Sequence, residues 1–370
     1  MSTATADAEI LEMSNEQYFA DSRNTLSHSE LEVFRQSPAL YHGQFIRREW
    51  VRPGAVHFDV GTVFHSLLLG PQKEITWDTF TGLQTIALWQ PCGTPHRKPD
   101  FASKKGTKYW RCDDHVIREA LNWGSVGFCY WALAGLNGGT VGRCRYDQFL
   151  VSDNFIPIPP EVLASDGSRR GSAWTEFAEA HQGQISLREQ EFAPLAEMVA
   201  SVKAHKFAAR VLFETPGRNE LKLRWKDAGT GLSLRCMIDA PRLAGDCDAP
   251  IIADVKTMAR MPTPKLFSKI AWDHGYARQA EFYRDAIAAL TGDRPPFCFI
   301  VALKAPPYTC RVFELSEAYA EEARRQNRHD LERFADAKAT DTWRDDDGAV
   351  LTVDQPDWTA HTPSWEIPSP

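Results

Sequence analysis

The chain has 370 residues, of which 43% are hydrophobic and 25% are charged. These fractions are close to those of soluble globular proteins, and they exclude disorder, a collagen-like repeat and a coiled coil as the main architecture. The formal charge of -7 argues against a protein that coats nucleic acid through bulk charge, although it leaves a local basic channel open.

The sequence carries no signal for export or membrane insertion. Its first residues, MSTATADAEILEM, lack the basic start and the apolar stretch of a secretory signal. The longest apolar run, VGFCYWALAGL at 126–136, is shorter than the ~20 residues that a membrane helix needs. Eight cysteines are too few for a disulfide scaffold in a chain of this length. We therefore expect a soluble cytoplasmic protein with reduced thiols and no membrane partner.

The first half of the chain predicts helices on either side of a segment that is hard to interpret. Residues 1–26 are polar and predict a flexible arm. A helix follows, with Ser27 or Ser29 as its N-cap and Pro38 limiting its end. The segment GTVFHSLLLGP at 61–71 predicts a second helix, and residues 187–213 predict a third. Residues 72–150 are predicted to be an insertion or subdomain whose role the sequence leaves open.

The second half changes to the alternating pattern of strands. NELKLRWKD and LSLRCMIDA predict a hairpin, PIIADVKT a central strand, GYARQAEFYRDAIAAL a core-facing helix and FCFIVALK a further strand. A charged helix at 316–338 precedes an acidic, proline-rich tail at 341–370. The order of elements predicts an α/β fold in which one mixed sheet is flanked by helices.

Three charged residues stand out on the predicted strands. Asp254 and Lys256 are two apart and share one face, whereas Val255 points to the other face. Asp239 ends the preceding strand, so the two carboxylates could meet at one end of the sheet. Neighbouring carboxylates repel each other unless a cation lies between them, and hard oxygen ligands suit Mg²⁺ or Mn²⁺. A solvated strand edge would also explain Asp254 and Lys256.

The spacing Asp-x-Lys is weak evidence by itself. The same spacing recurs at Asp336 and Lys338 within the charged helix. Gln279 and Tyr283 are four apart on one helix face, but a core tyrosine with a polar rim residue would give the same pattern. A lone histidine such as His65, on an apolar helix, is more often a core residue than a ligand.

In order along the chain, the segments GTVFH, MIDA, ADVKT and QAEFY resemble the PD-(D/E)XK nuclease superfamily, and in particular its RecB-like branch. Together with SHSELEVFRQSPALY and RRGSAWTEF, they are similar to exodeoxyribonucleases of type VIII from phages and prophages. The resemblance runs from about Ser27 to Phe334. It implies a restriction-endonuclease-like core within a nuclease domain at 27–340.

The resemblance also implies a metal site. In that reading, Asp239 and Asp254 bind Mg²⁺, with Mn²⁺ as a substitute, and the Val255 carbonyl and His65 are further ligands. Lys256 positions the attacking water for in-line hydrolysis of a phosphodiester.

Other residues take supporting roles by the same resemblance. Gln279 and Tyr283 are implied to hold the DNA backbone or brace the site, and Glu220 to be an outer acid or a second-metal ligand. The implied substrate is the end of linear double-stranded DNA, degraded from 5′ ends to leave a 3′ single strand for an annealing recombinase. A ring-shaped homo-oligomer would explain processive degradation.

Basic residues provide candidates for DNA contact. Lys104, Lys105 and Lys108 lie in a stretch at 96–111 that interleaves basic and aromatic residues, which suits phosphate contact with base stacking. Arg169 and Arg170 are the other candidates. A solvated basic loop is an equally good interpretation of the stretch.

Several alternatives are weighed against this reading. Cys92, His96, Cys112 and His115 match a zinc-site spacing loosely and without a supporting framework. Neither a phosphate-binding P-loop nor a nucleophile elbow is present in the sequence. Two rival functions remain: a structure-specific endonuclease on the same fold, and a DNA-binding protein that has lost catalysis.

Overall fold

The computed structural model describes residues 8–20, 25–50, 56–70, 86–89, 109–112, 115–118, 149–152, 155–183, 185–345, 350 and 352. The strands are β1 Ala8–Ile10, β2 Leu26–Ser27, β3 Ile86–Trp89, β4 Tyr109–Cys112, β5 His115–Arg118, β6 Phe149–Ser152, β7 Phe155–Pro157, β8 Ile185–Leu187, β9 Leu221–Lys226, β10 Ser233–Ile238, β11 Ala240–Arg242, β12 Ile251–Met258, β13 Phe297–Leu303 and β14 Cys310–Glu314. The α-helices are α1 Asn15–Ala20, α2 His28–Gln36, α3 Pro38–Tyr41, α4 Val56–Leu69, α5 Ser172–Ala180, α6 Glu189–Ala204, α7 Lys206–Ala209, α8 Pro264–Asp273, α9 Tyr276–Thr291 and α10 Glu317–Thr340.

The predicted hairpin forms the centre of a first four-stranded sheet, in the order β1-β9-β10-β2. β9 and β10 pair antiparallel, with Leu221 opposite Ile238 and Trp225 opposite Leu234. β1 adds to β9 antiparallel, and β2 adds to β10 parallel. The apolar side chains of both hairpin strands are buried, as their alternation predicts.

The second sheet has the order β11-β12-β13-β14 and contains the strand of Asp254 and Lys256. β12 and β13 are parallel and are connected through α8 and α9, while β11 and β14 pair antiparallel at the edges. The expectation of one sheet is therefore wrong, because the chain leaves the first sheet after β10 and pairs with β12 only through β11. β11 has three residues and contains Pro241, so it has too little alternating sequence to be recognised.

β12 separates two hydrophobic cores. Ile252 and Met258 pack with the hairpin and α9 in the first core, whereas Ala253 and Val255 pack with α4 and α6 in the second. β13 alternates in the same way and is buried throughout. Asp254 and Lys256 therefore face the first core, and Val255 faces away from them, as the period of two predicts. The two sheets with helices on their faces have the architecture of the restriction-endonuclease-like fold.

The one helix with a predicted cap starts at that cap, and other helices differ from their predicted limits. Ser27 caps α2 through a capping box with Glu30, and Ser316 caps α10. The helix predicted at 61–71 begins earlier, at Val56. The helix predicted at 187–213 is broken at His205, whose ring accepts a hydrogen bond from the Ala208 amide and starts a new helix, α7. No helix in the described part of the chain is long and apolar enough to cross a membrane.

The segment predicted as an insertion contains short strands. In its described residues, β3 pairs with β6 and β4 with β5, both antiparallel. After this segment, β7 pairs with β8 in parallel. The flexible arm predicted at 1–26 is wrong for its described residues, because Ala8–Ile10 pairs with β9 and Tyr18 of α1 is buried. The role of residues 72–150 and the end of the domain at 340 stay predictions.

Candidate active site

Asp239 lies at the point where the chain passes from the first sheet to the second. It is the single residue between β10 and β11, and its backbone carbonyl accepts a hydrogen bond from the Glu220 amide. One carboxylate oxygen accepts a hydrogen bond from the Val255 amide at 2.8 Å. This contact holds the Asp239 carboxylate beside β12 at Val255, the residue that follows Asp254.

Asp254 is a buried carboxylate, with 1% of its surface exposed. Lys256 Nζ lies 2.6 Å from its Oδ2, and the two groups form an ion pair. Burial raises the pKa of Asp254 to about 6; the Lys256 charge opposes this and the Asp239 charge adds to it. A carboxylate in this state gains from any further positive charge placed beside it.

Lys256 stays positively charged in this setting. Burial alone would lower the pKa of its ammonium group, but the Asp254 and Asp239 carboxylates outweigh that effect and raise the pKa above its ordinary value. The ammonium group also lies 4.7 Å from the centre of the Tyr276 ring, within the range of a cation–π contact.

His65 projects from α4 toward the same carboxylates. Its Nδ1 is 3.5 Å from Asp239 Oδ2, and its side chain is 30% exposed, so it is reachable from solvent. The structure thus brings together His65, Asp239, Asp254 and Lys256 from three separate parts of the chain. The lone histidine of an apolar helix is here at the carboxylates and not in the core.

The Asp239 and Asp254 carboxylates and the His65 ring are ligand types that suit a hard divalent ion, although they are not arranged as a preformed coordination site. Among the described residues, no group of three or more His, Cys, Asp and Glu side chains is arranged to hold a metal. The Lys256 ammonium group occupies one side of Asp254, and Val255 has its side chain buried on the opposite face, so it can offer only its backbone. The Asp254 and Asp239 carboxylates supply oxygen atoms of the kind that Mg²⁺ and Mn²⁺ prefer.

Gln279 and Tyr283 form a pair on α9 that faces the carboxylates. Gln279 Nε2 donates to the Tyr283 hydroxyl at 2.9 Å. Burial raises the pKa of Tyr283 well above its ordinary value, and the charges of Asp254 and Asp239 add to this. The phenol is therefore protonated, and because its oxygen accepts from Gln279, its own hydrogen is free to be donated.

Tyr276 belongs to the same site, although its sequence pattern indicates only a core position. It is three residues before Gln279 and seven before Tyr283, so all three share one face of α9. The Tyr276 ring lies beside the ion pair, 4.7 Å from Lys256 Nζ. Burial raises the pKa of Tyr276, while Lys256 lowers it and Asp254 raises it. The spacing of three and four residues was the available signal for this neighbourhood.

A buried ion pair at the start of α9 is a second feature that the sequence did not reveal. Arg278 binds both oxygens of the Glu32 carboxylate on α2, each at 2.6 Å. At Gly275, which has a φ of +70°, an added Cβ would lie 2.7 Å from Glu32 Oε2. The turn before α9 therefore needs glycine both for its left-handed backbone and for the approach of Glu32.

The predicted DNA contacts are only partly described by the structure. Lys104, Lys105 and Lys108 lie outside the described residues, as do Cys92 and His96 of the loose zinc pattern.

Other predicted residues are engaged within the protein. Arg169 donates to Glu191 and to the Ser186 carbonyl, so its charge is already paired, and Arg170 pairs with Asp166 at the exposed surface. The Glu220 side chain accepts from Asn15 and not from a residue of the carboxylate group.

The chain is similar to a known domain family. Residues 144–355 match a family model described as a PDDEXK-like domain of unknown function (DUF3799). The crystal structure of a candidate exonuclease from Eubacterium rectale is similar over 95% of this chain and 99% of that chain, with 12% sequence identity and a TM-score of 0.48. No curated protein matches the chain significantly. Because the family match covers more than half of the sequence, including the site strands, the protein belongs to the PDDEXK-like domains, an assignment that supports a nuclease.

Proposed function

We propose that the protein is a Mg²⁺-dependent exodeoxyribonuclease that hydrolyses linear double-stranded DNA from its 5′ ends and leaves 3′ single strands for an annealing recombinase. The observation that carries the proposal is the buried Asp254 carboxylate, which forms an ion pair with Lys256 and lies near Asp239. The direction of degradation and the recombination partner rest on the resemblance of the sequence to exodeoxyribonucleases of type VIII.

The residues that would hold the ion are Asp239, Asp254 and His65, with the Val255 carbonyl as a further ligand. The bound ion would supply positive charge to the phosphodiester oxygens and lower the pKa of an attacking water. Mn²⁺ has the same preference for oxygen ligands and should replace Mg²⁺.

The protein's own groups have definite tasks in this mechanism. Lys256 keeps its proton, so it orients the water through its lone pair and offsets charge that develops on the phosphate. Tyr283 is protonated with its hydrogen free, so it can donate to a non-bridging phosphate oxygen while Gln279 holds its position. His65, which is partly exposed, lies on the side from which DNA would approach.

The decisive test replaces the two central charges. Asp254→Asn and Lys256→Met should each reduce Mg²⁺-dependent hydrolysis of linear duplex DNA at least a hundredfold, because each removes a charge that touches the reacting groups. The matched control is Asp336→Asn with Lys338→Met, which changes the same residue types at the same spacing on the exposed end of α10. This control should retain wild-type activity, and undiminished cleavage by either site variant would contradict the assignment.

The form of the substrate separates the proposal from its rival. An exonuclease cannot start on covalently closed circular DNA, whereas an endonuclease can, so the two substrates are compared with one enzyme preparation. Linear duplexes labelled at the 5′ or the 3′ end then give the direction, and early release of the 5′ label is the expected result. Cleavage of the closed circle would contradict the exonuclease and favour a structure-specific endonuclease. No cleavage of any DNA would favour a DNA-binding protein that has lost catalysis.

A further inference from the structure

A short run of aromatic rings leads from the buried ion pair to the protein surface. The Tyr276 ring lies beside the Lys256 ammonium group, and the His274 ring stacks on Tyr276 with centroids 5.7 Å apart and planes 24° from parallel. Tyr276 is half-buried and His274 is exposed. We name this pair of rings the aromatic step.

The inner ring of the step is held from behind by packing. Tyr276 lies near Phe267 and Phe299 of the first core, with ring centroids 6.4 Å and 6.1 Å away. The outer ring, His274, stacks on Tyr276 and remains open to solvent. Only the outer end of the step can therefore receive a ligand.

The backbone between the two rings lies against a buried ion pair. Gly275 joins His274 to Tyr276, and the Glu32–Arg278 pair lies against it. Arg278 is 3% exposed, and taking an arginine and a carboxylate out of water has a large desolvation cost. The Arg278 carbonyl is bound in turn by the Asn327 side chain of α10. Such bracing is what a binding surface requires if two rings must keep one relative orientation.

We propose that the aromatic step stacks on the base of the nucleotide next to the scissile phosphate. The chemistry supports a nucleic-acid base over other ligands, because the rings begin at the lysine that faces the phosphate and offer stacking without a row of hydrogen-bonding groups. Stacking on aromatic side chains tolerates any base, which suits an enzyme that degrades DNA irrespective of sequence. This inference rests on the proposed function, since that function places the phosphate at Lys256.

The test separates stacking from charge at the outer ring. His274→Ala removes the ring, and the KM for linear duplex DNA should rise about five- to tenfold, as expected for the loss of one stacked base. His274→Phe restores a ring without a titratable group and should return KM close to its wild-type value. Trp272→Ala is the matched control: Trp272 is 48% exposed in the same segment but lies against Tyr319 of α10, outside the step.

A binding measurement keeps the inference independent of catalysis. A linear duplex carries a fluorescent adenine analogue, quenched by stacking, at the first or second nucleotide of the 5′ strand, and Ca²⁺ replaces Mg²⁺. Wild-type protein, Trp272→Ala and His274→Phe should quench the analogue, and His274→Ala should not.

DNA cleavage and fluorescence quenching together distinguish a failure of the aromatic step from a failure of the proposed nuclease function. DNA cleavage with no change of KM or quenching in His274→Ala would overturn the aromatic step and leave the nuclease standing. Quenching that depends on His274 in a protein that cleaves no DNA would overturn the nuclease and keep the step as a nucleic-acid contact. Absence of both cleavage and quenching would overturn both.

Discussion

At the residue scale, the site is organised around one unfavourable group. Asp254 is buried, and its pKa of about 6 shows that the folded protein resists its ionisation despite the nearby Lys256. A free carboxyl group ionises near pH 4, so at neutral pH the ionised Asp254 side chain destabilises the folded protein. Groups that are costly for stability in this way are typical of functional sites.

This charge predicts a definite dependence of stability on pH in the absence of metal. Between about pH 4 and pH 6 the folded state holds a proton on Asp254 that the unfolded state has released, so the free energy of unfolding falls as the pH rises through that window. A pKa difference of two units corresponds to about 3 kcal/mol at most. Above pH 6 the loss is complete.

Asp254→Asn should remove this contribution. Urea unfolding in EDTA at pH 4.5 and at pH 7.5 should show a smaller loss of stability for the variant than for the wild-type protein, because the neutral amide has no proton to lose. Added Mg²⁺ should stabilise the wild-type protein more at pH 7.5 than at pH 4.5. Identical pH profiles for the two proteins would contradict the buried, strained carboxylate.

At the scale of elements, the crossing between sheets depends on a buried arginine. Arg242, the last residue of β11, is 1% exposed. Its guanidinium group donates to the Val211, Leu212 and Pro241 carbonyls and to the Asn219 side chain. Burial lowers the pKa of this guanidinium group, and the charge of Asp246 opposes that effect. The arginine thus ties the end of the helical segment that follows α7 to the strand that places Asp239.

Arg242→Met should destabilise the protein by about 3 kcal/mol, because it leaves several buried carbonyls without a donor. Arg218→Met is the control, since the Arg218 side chain is 60% exposed and its pair with Glu12 lies on the surface. The control should change the free energy of unfolding by less than about 0.5 kcal/mol. Chemical denaturation measures both, and equal effects would show that Arg242 is not holding the crossing.

At the scale of the whole molecule, residues after α10 contact the segment around α3 near the start of the described chain. The Trp343 ring, beyond α10, stacks on Tyr41 and on His42, 5.5 Å and 5.4 Å away between centroids. The Asp345 carboxylate accepts from the Ser37 hydroxyl and from the Ala39 amide at the start of α3. Residues that follow α10 therefore stabilise the segment around α3.

Truncation tests this closure. A chain that ends at Asp341 should lose roughly 2 kcal/mol relative to one that ends at Asp345, from the lost burial of Trp343 and the lost cap at α3. Thermal unfolding of the two truncated proteins gives the comparison, and equal stability of the variants ending at Asp341 and Asp345 would show that these contacts contribute little.

Sequence pattern predicted those features of the candidate site that depend on the period of a single strand or helix. A strand alternates its faces, so Asp254 and Lys256 had to share one face with Val255 on the other. A helix repeats every three to four residues, so Gln279 and Tyr283 had to be neighbours. Ser27 or Ser29 marked the start of α2, because an unpaired backbone amide there requires a side-chain acceptor.

By itself, then, the sequence determined the period of each element, the class of the fold and the charged residues that meet at the site. Only the tertiary structure decided that the chain changes sheets at Asp239, that Tyr276 faces Lys256 and that Glu32 braces the turn at Gly275. The partners in the last of these contacts, Glu32 and Arg278, are 246 positions apart in the sequence. The physical reason is that periodicity specifies which face a side chain occupies, whereas the packing of separate elements specifies what that face meets.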